Sequence, residues 1–327
     1  VGYIYERRSH LFLINVAGGE PVQLTDGDWD DGDPAWSPDG KYLAFVSSRA
    51  EDRWRTPTPD LYTLAITEDQ AGELSCLTDG NLACAAPSWS PDGQTLAFPG
   101  SLKLRSGGHV DLYTIAASAR QAAATNLTRE FEGSFQDWTN TDGDARDEHM
   151  APAPVWSPDG QTIYALAGHR GATRVFALSA NGGNQSPATL TPGDIHVRDF
   201  SADLAGMRLA ILIGSPSRPP EVFVCTTSTG DGELKQITNV NEALFSQLKL
   251  GTLEHMPYTG TEGWPMDGWI LKPPDFDPAR QYPMILQIHG GPHTQYGYGF
   301  FHEMQVQAAN GYICLLYTSP SPRDRQK

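Results

Sequence analysis

Trp36-Ser37-Pro38-Asp39-Gly40, followed by Lys41-Tyr42-Leu43-Ala44-Phe45-Val46, decides the fold because it returns. Trp89-Ser90-Pro91-Asp92-Gly93 and Trp156-Ser157-Pro158-Asp159-Gly160 repeat it after 53 and 67 residues, and a worn copy, Phe200-Ser201-Ala202-Asp203, follows after 44 more. The runs behind the copies also match: Gln94-Thr95-Leu96-Ala97-Phe98, Gln161-Thr162-Ile163-Tyr164-Ala165-Leu166 and Met207-Arg208-Leu209-Ala210-Ile211-Leu212. A second apolar run comes next in each unit, as Asp60-Leu61-Tyr62-Thr63-Leu64, Asp111-Leu112-Tyr113-Thr114-Ile115, Arg174-Val175-Phe176-Ala177-Leu178 and Glu221-Val222-Phe223-Val224-Cys225. A short element closes the unit: Leu24-Thr25, Leu77-Thr78, Leu127-Thr128, Leu190-Thr191 and Ile237-Thr238.

Pro-Asp-Gly is turn chemistry: proline presets φ, aspartate bonds nearby backbone, and glycine accepts positive φ. The tryptophan before it and the apolar run after it are then strands of a hairpin. Each unit holds about four short antiparallel strands that bury their faces only by stacking on neighbours. Four strands in a period of roughly 40–50 residues are the mark of a β-propeller with WD40-like or TolB-like repeats. About four blades and a partial one fit into residues 1–245, too few to close the ring. Insertions at 51–59 and 133–148 account for the long spacings. The recurrent tryptophans, fixed in phase with the turn, read as blade-packing residues rather than ligand-stacking ones.

The 327 residues carry 39 acidic against 23 basic side chains, a net charge of −16. Such a surface argues against nucleic acid and anionic membrane as partners. No apolar run approaches the ~20 residues of a membrane span. Cys76, Cys84, Cys225 and Cys314 form no C-x-x-C pair and read as reduced core residues, which fits a cytoplasmic protein, with the periplasm left open. The sequon Asn126-Leu127-Thr128 finds no supporting sign of secretion. The acidic runs 26–33 and 142–149 lack EF-hand spacing and read as solvated loops; no metal and no cofactor is expected.

From residue 246 the pattern changes. Two strands flank a turn at 258–262, and Tyr282-Pro283-Met284-Ile285-Leu286-Gln287-Ile288 reads as a buried strand. It runs into His289-Gly290-Gly291-Pro292-His293. A helix over 301–309, capped by Asn310-Gly311, and a buried strand at 312–317 complete a βαβ unit, the start of an α/β domain with a largely parallel sheet. The glycine pair lets the backbone turn sharply and aim N–H groups at a bound oxygen.

This combination of the Trp-Ser-Pro-Asp-Gly repeats, Asp267-Gly268-Trp269 and His289-Gly290-Gly291-Pro292-His293 resembles the prolyl oligopeptidase family of serine peptidases, on the acylaminoacyl-peptidase and dipeptidyl aminopeptidase-like branch. The resemblance implies an α/β-hydrolase catalytic domain beginning at 246–314. It implies an oxyanion hole donated in part by the Gly291 N–H with Gly290 allowing the turn, an active-site loop including His289, Pro292 and His293, and a Ser-Asp-His triad acting on short peptides. None of the triad maps onto these residues, since no serine sits in a G-x-S-x-G elbow, Ser215 included. His289, His293 and His302 have no H-E-x-x-H spacing and are not read as zinc ligands. A homo-oligomer of the full-length protein stays open. Residues 315–327, polar and carrying Pro320 and Pro322, read as a non-native tail on a fragment truncated at both ends. The expected consequences are an exposed apolar sheet edge, a tendency to aggregate and no catalysis by the chain itself. Two other functions fit fewer of these residues: a non-catalytic TolB-like binding propeller, and a non-peptidase α/β-hydrolase such as an esterase.

Overall fold

A computed structural model describes residues 7–51, 53, 58–102, 109–142, 152–182, 186–203, 205–206, 208–227, 233–260, 263, 265–288 and 294–317. The chain forms two compact units. The first comprises 1–130, 153–165 and 178–187; the second comprises 131–152, 166–177 and 188–327. The division therefore does not follow the boundary expected after 245. It falls inside the third repeat, and residues 188–245 pack in one unit with the segment read as the start of the α/β domain.

In the first unit the strands Asp31–Trp36, Tyr42–Ser47, Asp60–Thr67 and Gln70–Cys76 form an antiparallel sheet in chain order. Thr95–Leu102 and Val110–Ala116 centre a second, flanked by Leu82–Cys84, Ser88–Trp89 and Thr125–Asn126. The repeat turns match their chemistry. Gly40, Gly93 and Gly160 have φ of +70°, +69° and +68°. Asp39 accepts the Ser37 hydroxyl at 2.8 Å and the Lys41 N–H at 3.1 Å, and Asp92 and Asp159 repeat both bonds. These bonds hold all three carboxyls below the usual carboxylate range, with the serine hydroxyl the main cause.

The strands bury alternate faces, as a period of two requires. Leu43, Phe45, Tyr62 and Leu64 pack toward Leu11 and Leu24 of the short hairpin Phe12–Leu13 and Val22–Gln23. Ala44, Val46 and Leu61 pack toward Leu96, Phe98 and Tyr113 of the second sheet. The tryptophans tie successive repeats: Trp89 Nε1 donates to Ala35 O at 3.0 Å and Trp156 Nε1 to Ser88 O at 3.2 Å. In both cases the acceptor is the residue before the preceding repeat's tryptophan. Sequence periodicity thus becomes sheet-to-sheet packing, as in a propeller-like domain.

The run 26–33 is a solvated loop only in its first part: Asp26, Asp28 and Asp30 are exposed, but Asp31 opens a strand and is buried. Asp31 is 4% exposed and takes Arg49 at 2.8 Å, whose guanidinium lies 4.9 Å from the rings of both Trp29 and Tyr62. Asp28 is spent on Arg8 and Arg53. Burial works to raise the Asp31 pKa, but bonds from Arg49, Ser47, Thr25 and His10 outweigh it, and the carboxyl sits below its ordinary value. A depressed carboxyl stabilises the folded state above the unfolded pKa of about 4 and stops doing so as pH falls through the folded value. Acid titration followed by tryptophan fluorescence should therefore show a loss of stability below about pH 4. The loss should be shallower in Asp31→Asn; an identical slope would refute the role given to Asp31.

His196–Ala202, Arg208–Ser215, Arg218–Thr226 and Lys235–Gln236, the fourth repeat, are the antiparallel part of an eight-stranded sheet, joined to Ala172–Ser179 by one parallel pair, Thr173 with His196. The segment from 251 onward makes a separate four-stranded sheet ordered Thr252–Thr259, Pro265–Lys272, Ile313–Tyr317, Met284–Gln287. Only its last pairing is parallel, so the expectation of a largely parallel sheet does not hold for these strands: the hairpin of the first two brings in antiparallel partners. Helix His302–Ala309 makes the crossover. It ends in a Schellman arrangement, with Gly311 at φ +86°, Gly311 N donating to Ala308 O and Tyr312 N to Gln307 O. No described helix is long and apolar enough to cross a membrane. All four cysteines are free, and Cys84, Cys225 and Cys314 are buried. Burial pushes the Cys314 thiol up to about 11, which makes it an inert packing group.

Candidate active-site segment

The βαβ crossover places Met284–Gln287 beside Ile313–Tyr317 and parallel to it, Met284 opposite Ile313 and Leu286 opposite Leu315. Ligands of α/β sheets gather at the carboxyl ends of such strands, which is where Gly290 and Gly291 follow in sequence. His289, Gly290, Gly291, Pro292 and His293 themselves lie outside the described residues. The leading strand is not buried as expected. Met284, Leu286 and Ile288 are 60%, 51% and 68% exposed, one apolar face of an edge strand, while Gln287 Nε2 donates to Gln307 Oε1 of helix His302–Ala309 at 2.7 Å. The next strand ends where the strand expectation for 312–317 puts it, and so includes the first residues of the segment read as a tail. Leu315, Leu316 and Tyr317 complete the strand, with Leu316 3% exposed, and residues 318–327 lie outside the described residues.

Residues 294–301, which leave the glycine-rich stretch, are held tightly. Tyr296 and Tyr298 are 5% and 8% exposed and pack with Trp269, Leu271 and Met304. Burial raises both phenols above their ordinary value, so each remains protonated at neutral pH. Tyr298 N donates to Gly171 O at 2.9 Å. Gly297 must be glycine, because a Cβ there would come within 2.0 Å of Gly171 O. Asp267, of the Asp-Gly-Trp motif, takes His255 Nε2 at 2.7 Å and Arg170 at 3.5 Å. His302 and Glu303 are exposed on the first turn of the helix.

Sequence reasoning missed one polar cluster. Asp137 Oδ2 lies 2.6 Å from His196 Nε2, its Oδ1 accepts Thr139 N at 2.8 Å and Thr173 Oγ1 at 3.3 Å, and His196 is 2% exposed. Asp137 belongs to the insertion after the second repeat, which has no counterpart in the other copies, so no periodicity could reveal it. Residue 142 is similar: read as part of a solvated acidic run, it accepts the backbone N–H groups of His302 and Glu303.

Known proteins are similar to the chain in sequence and in fold. No protein-family model matches the chain. A peptidase of Bacillus subtilis described as uncharacterized, YuxL, is 30% identical over 312 residues, 95% of this chain and 46% of its own length. Dipeptidyl-peptidase 5 of Porphyromonas gingivalis is 24% identical over 314 residues, 92% of this chain and 41% of its own length. Among solved structures, acylaminoacyl peptidase of Pyrococcus horikoshii is similar with a TM-score of 0.66 at 19% identity, over 94% of this chain and 42% of its own. A puromycin hydrolase is similar with a TM-score of 0.65 at 20% identity, over 93% and 45%. The chain thus spans less than half the length of these relatives. The sequence relatives are peptidases and the solved neighbours share the fold, which supports a peptidase of the prolyl oligopeptidase family.

Proposed function

We propose that this chain is the propeller and the opening of the α/β-hydrolase domain of a serine peptidase that cleaves short peptides, working in the cytoplasm. The hydrolase part begins at 246, Gly291 N–H donates to the oxyanion with Gly290 allowing the turn, and the remaining donor and the Ser-Asp-His triad come from residues other than these. The observation that carries this is the parallel strand Met284–Gln287, which Gly290 and Gly291 follow in sequence, on a chain whose curated relatives are peptidases. A structural neighbour, an acylaminoacyl peptidase, was solved with the peptide chloromethyl ketone Z-Gly-Gly-Phe, in keeping with a site for short peptides. In mechanism, the triad serine adds to the scissile carbonyl, and the N–H groups of the turn stabilise the oxygen as it becomes negative, an interaction that strengthens only in the transition state. The propeller limits access to short chains.

The test is turnover. The full-length gene product should cleave acylaminoacyl or dipeptidyl nitroanilides and take up a serine-reactive fluorophosphonate, whereas residues 1–327 alone should do neither. Ester hydrolysis without any peptide turnover by the full-length protein would overturn the peptidase assignment in favour of an esterase.

A further inference from the structure

The described part of the insertion 133–148, with the two residues that lead into it, is packed rather than loose. Phe135 is 1% exposed, with ring centroids 5.6 Å from Phe131 and 6.5 Å from Phe176. Ser134 and Gly168 exchange both backbone hydrogen bonds, at 2.9 and 2.8 Å. Asp137 then fixes the next residues to the repeat strands through Thr173 and the buried His196. The insertion is therefore anchored before it reaches the α/β elements.

Its far end grips those elements at three successive points. Gln295 N donates to Trp138 O at 2.9 Å and Asn140 N to Gln295 O at 2.8 Å, a parallel bridge between Thr139 and Gln295. Gly299 lies against the same stretch so closely that a Cβ would sit 2.6 Å from Thr141 Cγ2 and 3.2 Å from His196 Nδ1. Finally, the helix His302–Ala309 has Phe301 at its N-cap, with no side chain of its own to accept the free N–H groups. Asp142 supplies that acceptor from 160 residues away in sequence, taking His302 N and Glu303 N. A carboxylate there satisfies two orphan donors and faces the positive end of the helix.

We infer that the propeller insertion 134–142 is a positioning element for residues 295–303, the stretch that directly follows the His289–His293 motif in sequence, with Asp142 its positioning residue. This rests on the peptidase assignment made above. Fixing the segment from a rigid repeat makes the geometry next to the reacting centre depend on the propeller, and small misplacements at such a centre cost rate rather than binding.

Two measurements test it. In the full-length protein, Asp142→Ala should speed amide hydrogen exchange at His302 and Glu303 by about five-fold or more, while Asp142→Asn, which keeps an acceptor, should not. In the full-length protein, Asp142→Ala should lower kcat about ten-fold with KM within about two-fold, and Asp142→Asn should restore most of it. Unchanged exchange in Asp142→Ala overturns the inference whatever the activity. Faster exchange with unchanged kcat, or an equal loss in both variants, overturns the positioning role. Absence of turnover in the unmodified full-length protein overturns the peptidase assignment and the catalytic half of the inference, leaving exchange to decide whether Asp142 holds the helix.

Discussion

Replacing Trp269 with alanine is expected to destabilise the protein by about 3–5 kcal/mol, the cost of truncating a large aromatic in a packed core. Trp269 is 0% exposed. Tyr298 stands edge-on to its ring at a centroid distance of 5.6 Å and His255 lies 5.6 Å away. Gly171 presses on the same ring, since a Cβ at Gly171 would come within 2.3 Å of Trp269 Cζ2. Leu271, Met304, Ala308, Cys314 and Leu316 complete the cluster. Truncation would thus leave a cavity that strand, helix and the 296–298 segment border together, and none of them can collapse into it alone. Urea denaturation should show a clear fall in midpoint, against a change of about 0.5 kcal/mol or less for Val306→Ala on the exposed face of the helix. A Trp269→Ala loss below about 1 kcal/mol would mean that the cluster does not hold the α/β elements in place.

The second large effect is kinetic. Gly291→Pro in the full-length protein should reduce kcat by about 10²–10³-fold while leaving KM near its original value, because proline removes the one N–H expected to bond the developing oxyanion. Gly291→Ala keeps that N–H and should retain much more activity. Equal activity in Gly291→Pro and the unmodified enzyme would remove Gly291 from the oxyanion hole. A rise in KM at constant kcat would place it in substrate binding instead.

The repeats were legible because their chemistry is local. A Ser-Pro-Asp-Gly turn needs only its own side chains, and Ser37, Asp39 and Gly40 make the same bonds and take the same φ as their counterparts at 90–93 and 157–160. The crossover helix was equally legible, since Gly311 closes it by local backbone bonds. The sheet that it serves was read less well. Periodicity marks a strand as apolar but does not say which faces find partners, so Met284–Gln287 was expected to be buried and is an exposed edge. The acidic runs hide partners for a related reason: Asp31 is buried against Arg49, and Asp142, exposed as a solvated charge would be, also bonds the N-terminus of a helix from a distant part of the chain, while residues 143–149 lie outside the described residues.

By itself, then, the sequence determined the β repeats and the strand-helix-strand order of the βαβ start, because each is written in residues a few positions apart. Tertiary structure alone decided that Asp137 meets His196, that Asn140 bonds Gln295 and that Asp142 caps a helix 160 residues further on. Those contacts depend on folding that brings an insertion without periodicity against a second sheet, and no local pattern encodes which donor a carboxylate will find there.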